Sequence, residues 1–396
     1  MTHLAEIIKQ KASDHLDETI RLRRHFHKNP ELSFRETNTS AFIRDYLLEH
    51  DIAFIDGIGE TGIIARIKGN KGNGPVVALR AELDALPIHE SADNEYSSII
   101  DGVMHACGHD AHLAMLLSSL MIIDGLKDQF RGEIIFIFQP GEELVPGGAK
   151  LILEEGTLRK LSPSAIVAQH VLPELETGRI GYREGAYMAS SDEIYIDILG
   201  KGGHAAIPGQ SSDQILIGSM LVCRLKEKIG ELEAGVPKVI GIGTFIASGA
   251  TNVIPDRVHI EGTLRTFNEK IRSRMHSLVK DECRQIASEH GVKIELEIRE
   301  GYPVLTNDTE LSSRGSKVAS FLWGSENVTP LELRMSSEDF AFYSREYPAF
   351  FYRLGVKGRN MRQRFLHTPD FDIDESAMAF GVATMSMIAL DLVNNI

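Results

Sequence analysis

The segment VMHACGHDAH at residues 103–112 offers one thiol, three imidazoles and a carboxylate within ten positions. An apolar run from Leu113 to Ile123 follows it and predicts a helix that can hold these side chains rigidly. A thiolate and an imidazole two residues apart at a helix start suit a borderline-soft divalent metal such as zinc. Taken alone, the segment also fits a buried cysteine among helix-capping polar residues, so the rest of the chain must decide.

Composition limits the class of protein. The chain has 396 residues, 43% apolar and 25% charged, with no run of eighteen apolar residues, which predicts a soluble globular protein of two domains without a membrane span. A net charge of −14 argues against a nucleic-acid partner. The amphipathic N-terminus has no apolar signal region, and three widely spaced cysteines make no disulfide framework, so we expect a cytoplasmic protein.

Three further polar features lie at the ends of predicted buried strands. Strands are predicted at Gly62–Lys68, Pro75–Ala81, Glu133–Phe138 and Ala165–Gln169, with a helix at Gly148–Glu155 between the last two. Strand, helix, strand is the rhythm of a parallel sheet, and ligands bind at the carboxyl ends of such strands. Those ends carry RAELDALP (80–87), QPGEE (139–143) and His170.

The adjacent carboxylates Glu142 and Glu143 should have different tasks, because neighbouring side chains on extended backbone point in opposite directions. One could ligate a metal while the other handles protons. The pair also fits an ordinary helix start, where carboxylates favour the helix dipole. His170 and His367, the latter in RFLHTP (364–369), each fit a structural histidine when considered alone.

The remaining predicted helices lie at both ends of the chain. Apolar spacing predicts one helix from Leu4 to His27 and a second from Glu36 to His50. Later helical patterns cover Phe340–Ser344 and Glu375–Val393, with an apolar stretch at 350–352 between them.

The middle of the chain has a different predicted order of strands and helices. Strands and helices are predicted there in the order βαββαβ, that of a ferredoxin-like domain: Asp192–Leu199, Gln214–Ile229, Lys238–Ala247, Arg257–Thr266, Glu269–His290 and Val292–Glu300. The predicted fold class is therefore α/β: a catalytic domain with a mostly parallel sheet flanked by helices, formed by residues 1–184 and 301–396. Residues 185–300 form an inserted α+β lid or dimerisation domain.

Together the motifs resemble, over essentially the whole chain, the dinuclear metal-dependent amidohydrolases of the aminoacylase and carboxypeptidase superfamily. The similarity is greatest to the branch with hippurate hydrolase, N-acetyl-diaminopimelate deacetylase and the plant IAA-amino acid hydrolases. The matching segments are RAELDALP (80–87), MHACGHDAH (104–112), QPGEE (139–143), His170, GKGGHAAIP (200–208), TNVIPD (251–256), GTLRT (262–266) and LHTP (366–369).

The resemblance implies two divalent metal ions, with zinc, manganese, cobalt and nickel as candidates. Cys107 would bridge the two ions, Glu143 and His367 would complete one, and His109 and His170 the other. Two cations sharing a thiolate can polarise a carbonyl oxygen and activate one water.

The same resemblance implies roles for residues around the metal ligands. Asp84 would orient a metal ligand, and Glu142 would be the general base. The branch usually has Asp where Glu82 stands, which leaves the role of Glu82 open. With five ligands assigned, we expect His105 and His112 to support the ligands or the fold.

The lid would contribute polar groups to the substrate. His204 would donate to the developing oxyanion on closure, in its own or a neighbouring subunit, and Asn252 would contact the substrate. The planar fork of Arg265 would clamp a substrate carboxylate. The plainer interpretations are a tight-turn histidine and a strand-surface arginine.

The predicted function is hydrolysis of the amide bond of N-acyl amino acids by metal-activated water, with Glu142 as base. The alternative is an inactive homologue that binds metal and ligand, and the retained Glu142 favours the enzyme. A third hypothesis, Cys107 as a nucleophile, conflicts with a thiolate held between cations. We expect a small-molecule substrate, no nucleic-acid or membrane partner, and a homodimer or higher homo-oligomer through the lid.

Overall fold

The computed structural model describes residues 2–91, 94–207, 209 and 211–395, so Pro208, the last residue of the Gly-rich motif, lies outside the described residues. The chain forms two compact units. The first, here called the catalytic unit, comprises Met1–Gly185, Thr306–Glu332 and Asp339–Ile396. The second, called the lid unit, comprises Ala186–Leu305 and Leu333–Glu338.

The helices of the described residues are α1 (Thr2–Asp14), α2 (Leu16–Lys28), α3 (Thr37–Glu49), α4 (His109–Asp124), α5 (Gly148–Glu155), α6 (Thr157–Leu161), α7 (Gln214–Glu231), α8 (Glu269–His290), α9 (Thr309–Trp323), α10 (Ala341–Glu346) and α11 (Ala377–Asn395). The strands are β1 (Ala53–Ile58), β2 (Gly62–Lys68), β3 (Val76–Glu82), β4 (Glu133–Gln139), β5 (Ala165–Glu176), β6 (Ile180–Tyr182), β7 (Gly185–Met188), β8 (Asp192–Leu199), β9 (Gly203–His204), β10 (Lys238–Ile246), β11 (Val253–Ile254), β12 (Arg257–Thr266), β13 (Lys293–Glu300), β14 (Leu305–Asn307), β15 (Val328–Pro330) and β16 (Ala349–Lys357).

The catalytic unit is built on one sheet with the strand order β1-β2-β4-β3-β5-β16-β6-β15. Its central strands β4, β3, β5 and β16 are parallel neighbours, while β1, β2 and the β16–β6 pair are antiparallel. The prediction of a mostly parallel sheet flanked by helices is confirmed. The carboxyl ends of β3, β4 and β5 therefore meet at one edge, where Glu82, Gln139 and the residues after them lie.

Helices α4 and α11 form the centre of the apolar core on this sheet. α11 is long and apolar enough to cross a membrane by length and composition alone, but 83% of its most apolar window is buried in the fold. A helix buried to this extent is typical of the core of a folded domain. α4 is likewise buried on nearly all sides, so its first residues are held by packing as well as by the helix itself.

The lid unit has a four-stranded antiparallel sheet in the order β10-β12-β8-β13, covered by α7 and α8. This is the ferredoxin-like arrangement that the βαββαβ order predicts. A separate short pair, β9 with β11, sets His204 opposite Val253. The predicted domain boundaries were 184/185 and 300/301; the units divide at 185/186 and 305/306, and residues 333–338 also belong to the lid unit.

Two details of the helix predictions are wrong. The single helix predicted from Leu4 to His27 is interrupted at His15, where the Thr19 hydroxyl donates to the His15 carbonyl at 2.9 Å. Helix α9 was not predicted, because the face it buries contains small residues such as Ser312, Gly315 and Ser316. At Gly315 a Cβ would lie 2.2 Å from the Phe350 ring, so close packing replaces bulky apolar side chains there.

Candidate metal centre

The start of α4 places Cys107 and His109 on one side of a tight turn. Gly108, between them, has φ 90° and lies against Val171, where a Cβ would come within 2.5 Å of Val171 Cγ2. Only glycine adopts this left-handed backbone at no steric cost. The turn is therefore what allows a thiol and an imidazole two residues apart to face one point.

Cys107 belongs to two groups of donors. Cys107, His109 and His170 offer ligand atoms that all lie within 4.8 Å of one another, and so do those of Cys107, Glu143 and His367. Cys107 Sγ lies 3.4 Å from His170 Nε2 and 3.3 Å from His367 Nε2. The structure thus brings the five residues predicted as ligands together, with the thiol common to both groups.

Hydrogen bonds assign the tautomers of two of these histidines. His109 Nδ1 donates to the Asp84 carbonyl at 2.8 Å, and His170 Nδ1 donates to the Val171 carbonyl at 2.8 Å. In its neutral form each ring therefore carries its lone pair on Nε2. His109 Nε2 is buried without a hydrogen-bond partner among the described residues, an arrangement that fits a metal ligand.

Asp84 is fully buried next to the predicted ligands and contacts two of them. Its Oδ2 accepts hydrogen bonds from the Ser33 hydroxyl at 2.6 Å and from the Glu143 backbone N–H at 2.9 Å, and its Oδ1 lies 3.3 Å from His109 Nδ1. Burial acts to raise the pKa of Asp84, but the hydrogen bond and charge of His109, together with the hydrogen bonds from Ser33 and the Glu143 N–H, outweigh burial and keep the pKa below the usual value. Asp84 is thus an ionised group that orients His109 and Glu143.

His367 completes the group from the far end of the chain. Its backbone has φ 60°, a left-handed conformation that is rare for a residue with a side chain, and its side chain is 51% exposed. Hydrogen bonds to Cys107 and then Glu143 raise the pKa of His367 to about 10. This corner of the site therefore favours a positive charge, as a cation site must.

The two adjacent glutamates have different partners, but they do not point apart as extended backbone would predict: residues 142 and 143 form a bend after β4, and Glu142, Glu143 and His109 offer ligand atoms within 4.8 Å of one another. Glu143 Oε1 lies 3.2 Å from His367 Nε2, whereas Glu142 Oε1 accepts a hydrogen bond of 3.4 Å from the Asp339 backbone N–H. Glu142 Oε2 is 4.0 Å from His109 Nε2, so the carboxylate borders the donor groups. Gly141 makes this possible with a left-handed turn (φ 56°) packed on Phe34.

The other two imidazoles of the 103–112 segment are both buried but differ in their contacts. His112 uses both ring nitrogens, one on the Glu82 carboxylate at 2.7 Å and one on the Val171 N–H at 3.0 Å. Neither nitrogen of His105 has a hydrogen-bond partner among the described residues, and burial lowers its pKa to about 3. His105 is therefore a neutral core residue.

One network next to the site was missed in the sequence. Buried Arg23 on α2 binds Asp110, Asp372 and Glu375 at 3.0, 2.7 and 3.1 Å, which ties the start of α4 to the segment that follows His367. His27, one turn on, binds Asp110 at 2.9 Å. The helical periodicity of α2 could have revealed this network. It places Arg23 and His27 on the same buried face as the apolar residues Leu22 and Phe26.

The residues predicted to act on the substrate all lie in the lid unit: His204 as a catalytic donor, and Asn252 and Arg265 as binding residues. His204 is exposed on β9, and its Nδ1 accepts a hydrogen bond from the Ala206 N–H at 3.1 Å. The Asn252 carbonyl accepts from the Ala205 N–H at 3.0 Å, so the β9–β11 pair holds these two residues close together. Arg265, on β12, donates to the Met335 carbonyl and the Ser337 hydroxyl at 3.2 and 3.3 Å. Their contacts with a substrate remain predictions.

A family model described as peptidase family M20/M25/M40 matches residues 78–391 of the chain. An N-acetylcysteine deacetylase of Bacillus subtilis is 36% identical over 94% of this chain and 97% of that protein. An N-acyl-L-amino acid amidohydrolase of Geobacillus stearothermophilus is 39% identical over 76% of this chain and 82% of that protein.

One solved structure with close similarity is a Bacillus subtilis protein described as a dinuclear metal binding peptidase from the M20 family. It superposes with a TM-score of 0.83 at 34% identity, covering 97% of this chain and 100% of that chain. The resemblance predicted from the motifs is thereby confirmed at the level of family and fold.

Proposed function

The chain belongs to peptidase family M20/M25/M40 and is a metal-dependent amidohydrolase, and we propose that its substrates are N-acyl amino acids. The products would be a carboxylate and a free amino acid. The single observation that carries the proposal is the thiol of Cys107, shared by two donor groups within 4.8 Å beside a carboxylate that can accept protons. The names of the two relatives supply the substrate class.

The five donors fit two divalent cations, held by Cys107 together with Glu143 and His367 on one side and His109 and His170 on the other. Cations bound there would polarise the amide carbonyl and make water more acidic. Glu142 would take a proton from the attacking water as its oxygen bonds to the carbonyl carbon. The same carboxyl group would then pass the proton to the amine nitrogen as the C–N bond breaks.

We assign substrate contacts to the lid on chemical grounds. The guanidinium of Arg265 matches two carboxylate oxygens, so it would hold the carboxylate of the amino-acid part. His204, exposed on its short strand, would donate to the oxyanion, and the side chain of Asn252 would contact the acyl amide.

A substrate screen tests the proposal. The protein would be reconstituted separately with zinc, manganese, cobalt and nickel and offered N-acyl amino acids in which acyl group and amino acid vary independently. Matched esters of the amino-acid carboxylate would test the Arg265 contact, because they remove its partner. We expect release of the free amino acid in at least one metal form. Metal and ligand binding without turnover in any form would instead support the inactive homologue.

Chelation separates metal chemistry from a cysteine nucleophile. Removal of the metal should abolish hydrolysis, and added divalent metal should restore it. Full activity in a sample verified to be free of metal would contradict the dinuclear assignment and support the thiol of Cys107 as the nucleophile.

We also propose that the chain forms homodimers through the lid unit. β10 is an edge strand, and exposed apolar side chains lie along it and along α7: Ile215, Leu216, Val239, Phe245 and Ile246. An exposed apolar edge strand is a ready surface for pairing with a second copy. Ile246→Lys should shift the mass in analytical ultracentrifugation from dimer to monomer. A monomeric wild-type protein at micromolar concentration would overturn the proposal.

The proposed compartment is the cytoplasm. The three cysteines are free, and Cys107 must stay reduced to serve as a ligand.

A further inference from the structure

Glu82 and His112 occupy the fully buried space behind the ligand His170. The ligand atoms of Glu82, His109 and His112 lie within 4.8 Å of one another, which is also the spacing of a metal site. Two interpretations therefore compete: a further cation site, or a hydrogen-bonded support for the donors already described.

The contacts of His112 decide between them. A backbone N–H can only donate, so the nitrogen of His112 that meets the Val171 N–H at 3.0 Å, Nε2, must accept. The proton of the neutral ring is then on Nδ1, where it is donated to Glu82 Oε2 at 2.7 Å. No lone pair of His112 remains for a metal.

Glu82 is fixed from its other side. Its Oε1 accepts a hydrogen bond from the guanidinium of Arg80, which also donates to the side chains of Gln139 at 2.9 Å and Asp339 at 2.6 Å. All four side chains are fully buried. The carboxylate of Glu82 is thus held between two donors, Arg80 and His112, and has little freedom to move.

The far end of this chain of contacts is a ligand. The backbone N–H of Val171 donates to His112. The carbonyl of the same residue accepts a hydrogen bond of 2.8 Å from the Nδ1–H of His170. That bond leaves the lone pair of His170 on Nε2, 3.4 Å from Cys107 Sγ. The rings of His112 and His170 also pack edge to face, with centroids 4.6 Å apart.

We propose that Glu82 and His112 are positioning residues that fix the orientation and tautomer of His170 for one of the two metal ions. The inference rests on the proposed metal centre but not on the substrate. Removing either residue should weaken the ion held by His170 and leave the one held by Glu143 and His367 less affected. Neither positioning residue belongs to the two donor groups that share Cys107.

The variant Glu82→Gln tests the proposal with little change in volume. An amide has one acceptor oxygen, so its NH₂ group must face either the Arg80 guanidinium or the Nδ1–H of His112. In either arrangement two hydrogen-bond donors face each other and one hydrogen bond is lost. Glu82→Asp keeps the charge and is the conservative rescue, whereas His112→Phe keeps the ring without its nitrogens. Asp391→Asn is the matched control, because it makes the same carboxylate-to-amide change at another buried ion pair. Asp391 lies on α11 and binds Arg314 at 2.6 Å.

Metal affinities would be measured by competition with a chromophoric chelator, and the cobalt-substituted protein would be examined by absorption spectroscopy. We expect Glu82→Gln and His112→Phe to lower the affinity for one ion by about 10- to 100-fold and to change the cobalt spectrum. Glu82→Asp should change both less, and Asp391→Asn should change only thermal stability.

Two results would overturn the inference. One is wild-type affinity for both ions together with an unchanged cobalt spectrum in folded Glu82→Gln and His112→Phe. The other is a third equivalent of metal in the wild type that Glu82→Gln loses, which would make the group a cation site. No substrate is used, so an incorrect substrate assignment would appear in the screen and not here.

Discussion

The metal centre and the β9–β11 pair of the lid unit are the two regions to which the sequence assigns chemistry, and they are built in opposite ways. In the metal centre, Cys107, His109 and His170 are buried, and hydrogen bonds fix the ring orientation of both histidines. On the lid unit, His204 is exposed on the two-residue strand β9, and Asn252 is exposed in the turn just before β11.

The difference indicates where each region obtains its order. Donors for a metal must be placed before the ion arrives, so buried neighbours hold them in advance. Groups that act only on a bound substrate can remain exposed and be ordered by binding. Changes to the five predicted metal donors should therefore alter metal content, whereas changes on the lid unit should alter turnover and leave metal content unchanged.

The largest effect is expected for Cys107→Ala. Because the thiol is common to both donor groups, its loss should remove metal from both positions and reduce hydrolysis to background. His367→Ala, by contrast, should mainly weaken one position. Elemental analysis of the purified variants gives the metal content, and equal metal content in Cys107→Ala and wild type would contradict the shared role.

Glu142→Gln should separate proton transfer from metal binding. The amide keeps the size of the side chain and removes the proton acceptor, so kcat should fall by about a hundred- to ten-thousandfold. Metal content and substrate affinity should remain, as measured by elemental analysis and calorimetry. Wild-type turnover would assign the base to another residue.

His204→Ala is the corresponding test on the lid. Loss of an oxyanion donor should lower kcat by roughly a hundredfold with metal content and fold unchanged. A loss of metal in this variant would break the distinction between the two regions.

Mixing the inactive variants sharpens that test. If His204 acts across a dimer, hybrids of His204→Ala with Glu142→Gln should regain one intact site and part of the activity. No recovery despite proven subunit exchange would confine His204 to its own chain or remove it from catalysis.

The smallest effect on turnover is expected for His27, whose role is to stabilise the support behind the centre. Burial opposes its charge, but hydrogen bonds to Asp110 and Glu90 raise its pKa to about 9. The unfolded value is about 6.5, so this stabilisation is complete below about pH 6.5 and is lost as pH rises through 9.

The contribution of His27 is about 3 kcal/mol at most, from a shift of roughly 2.5 pH units. Denaturant unfolding of wild type and His27→Asn at pH 6 and pH 9.5 measures it. We expect the variant to be much less stable at pH 6 and nearly equal at pH 9.5. Equal differences at both values would show that His27 is neutral in the folded protein.

Local sequence patterns were sufficient to predict where several strands end and which polar residues follow them. The strands Gly62–Lys68, Asp192–Leu199 and Arg257–Thr266 have the predicted bounds, because alternation or a continuous apolar run marks each of them. The residues that gather around Cys107 follow from the same logic, since the carboxyl ends of β3, β4 and β5 share one edge.

Partners distant in the chain could not be predicted in this way. Arg23 meets Asp372 and Glu375 across more than 340 residues, and Glu82 meets His112 only because a strand end and a helix pack together. β1 was missed because half of it is solvent-exposed at the edge of the sheet. In each instance the tertiary structure supplies information that no local spacing contains.

The position of β16 has a consequence for how the protein is made. β16 lies between β5 and β6 in the sheet, although the whole lid unit is synthesised before it. At about 5–20 residues per second, the apolar edge of β5 leaves the ribosome roughly ten seconds or more before its neighbour exists. During synthesis that open edge is exposed to pairing with other chains, so we expect the nascent protein to depend on chaperones until its last ninety or so residues emerge.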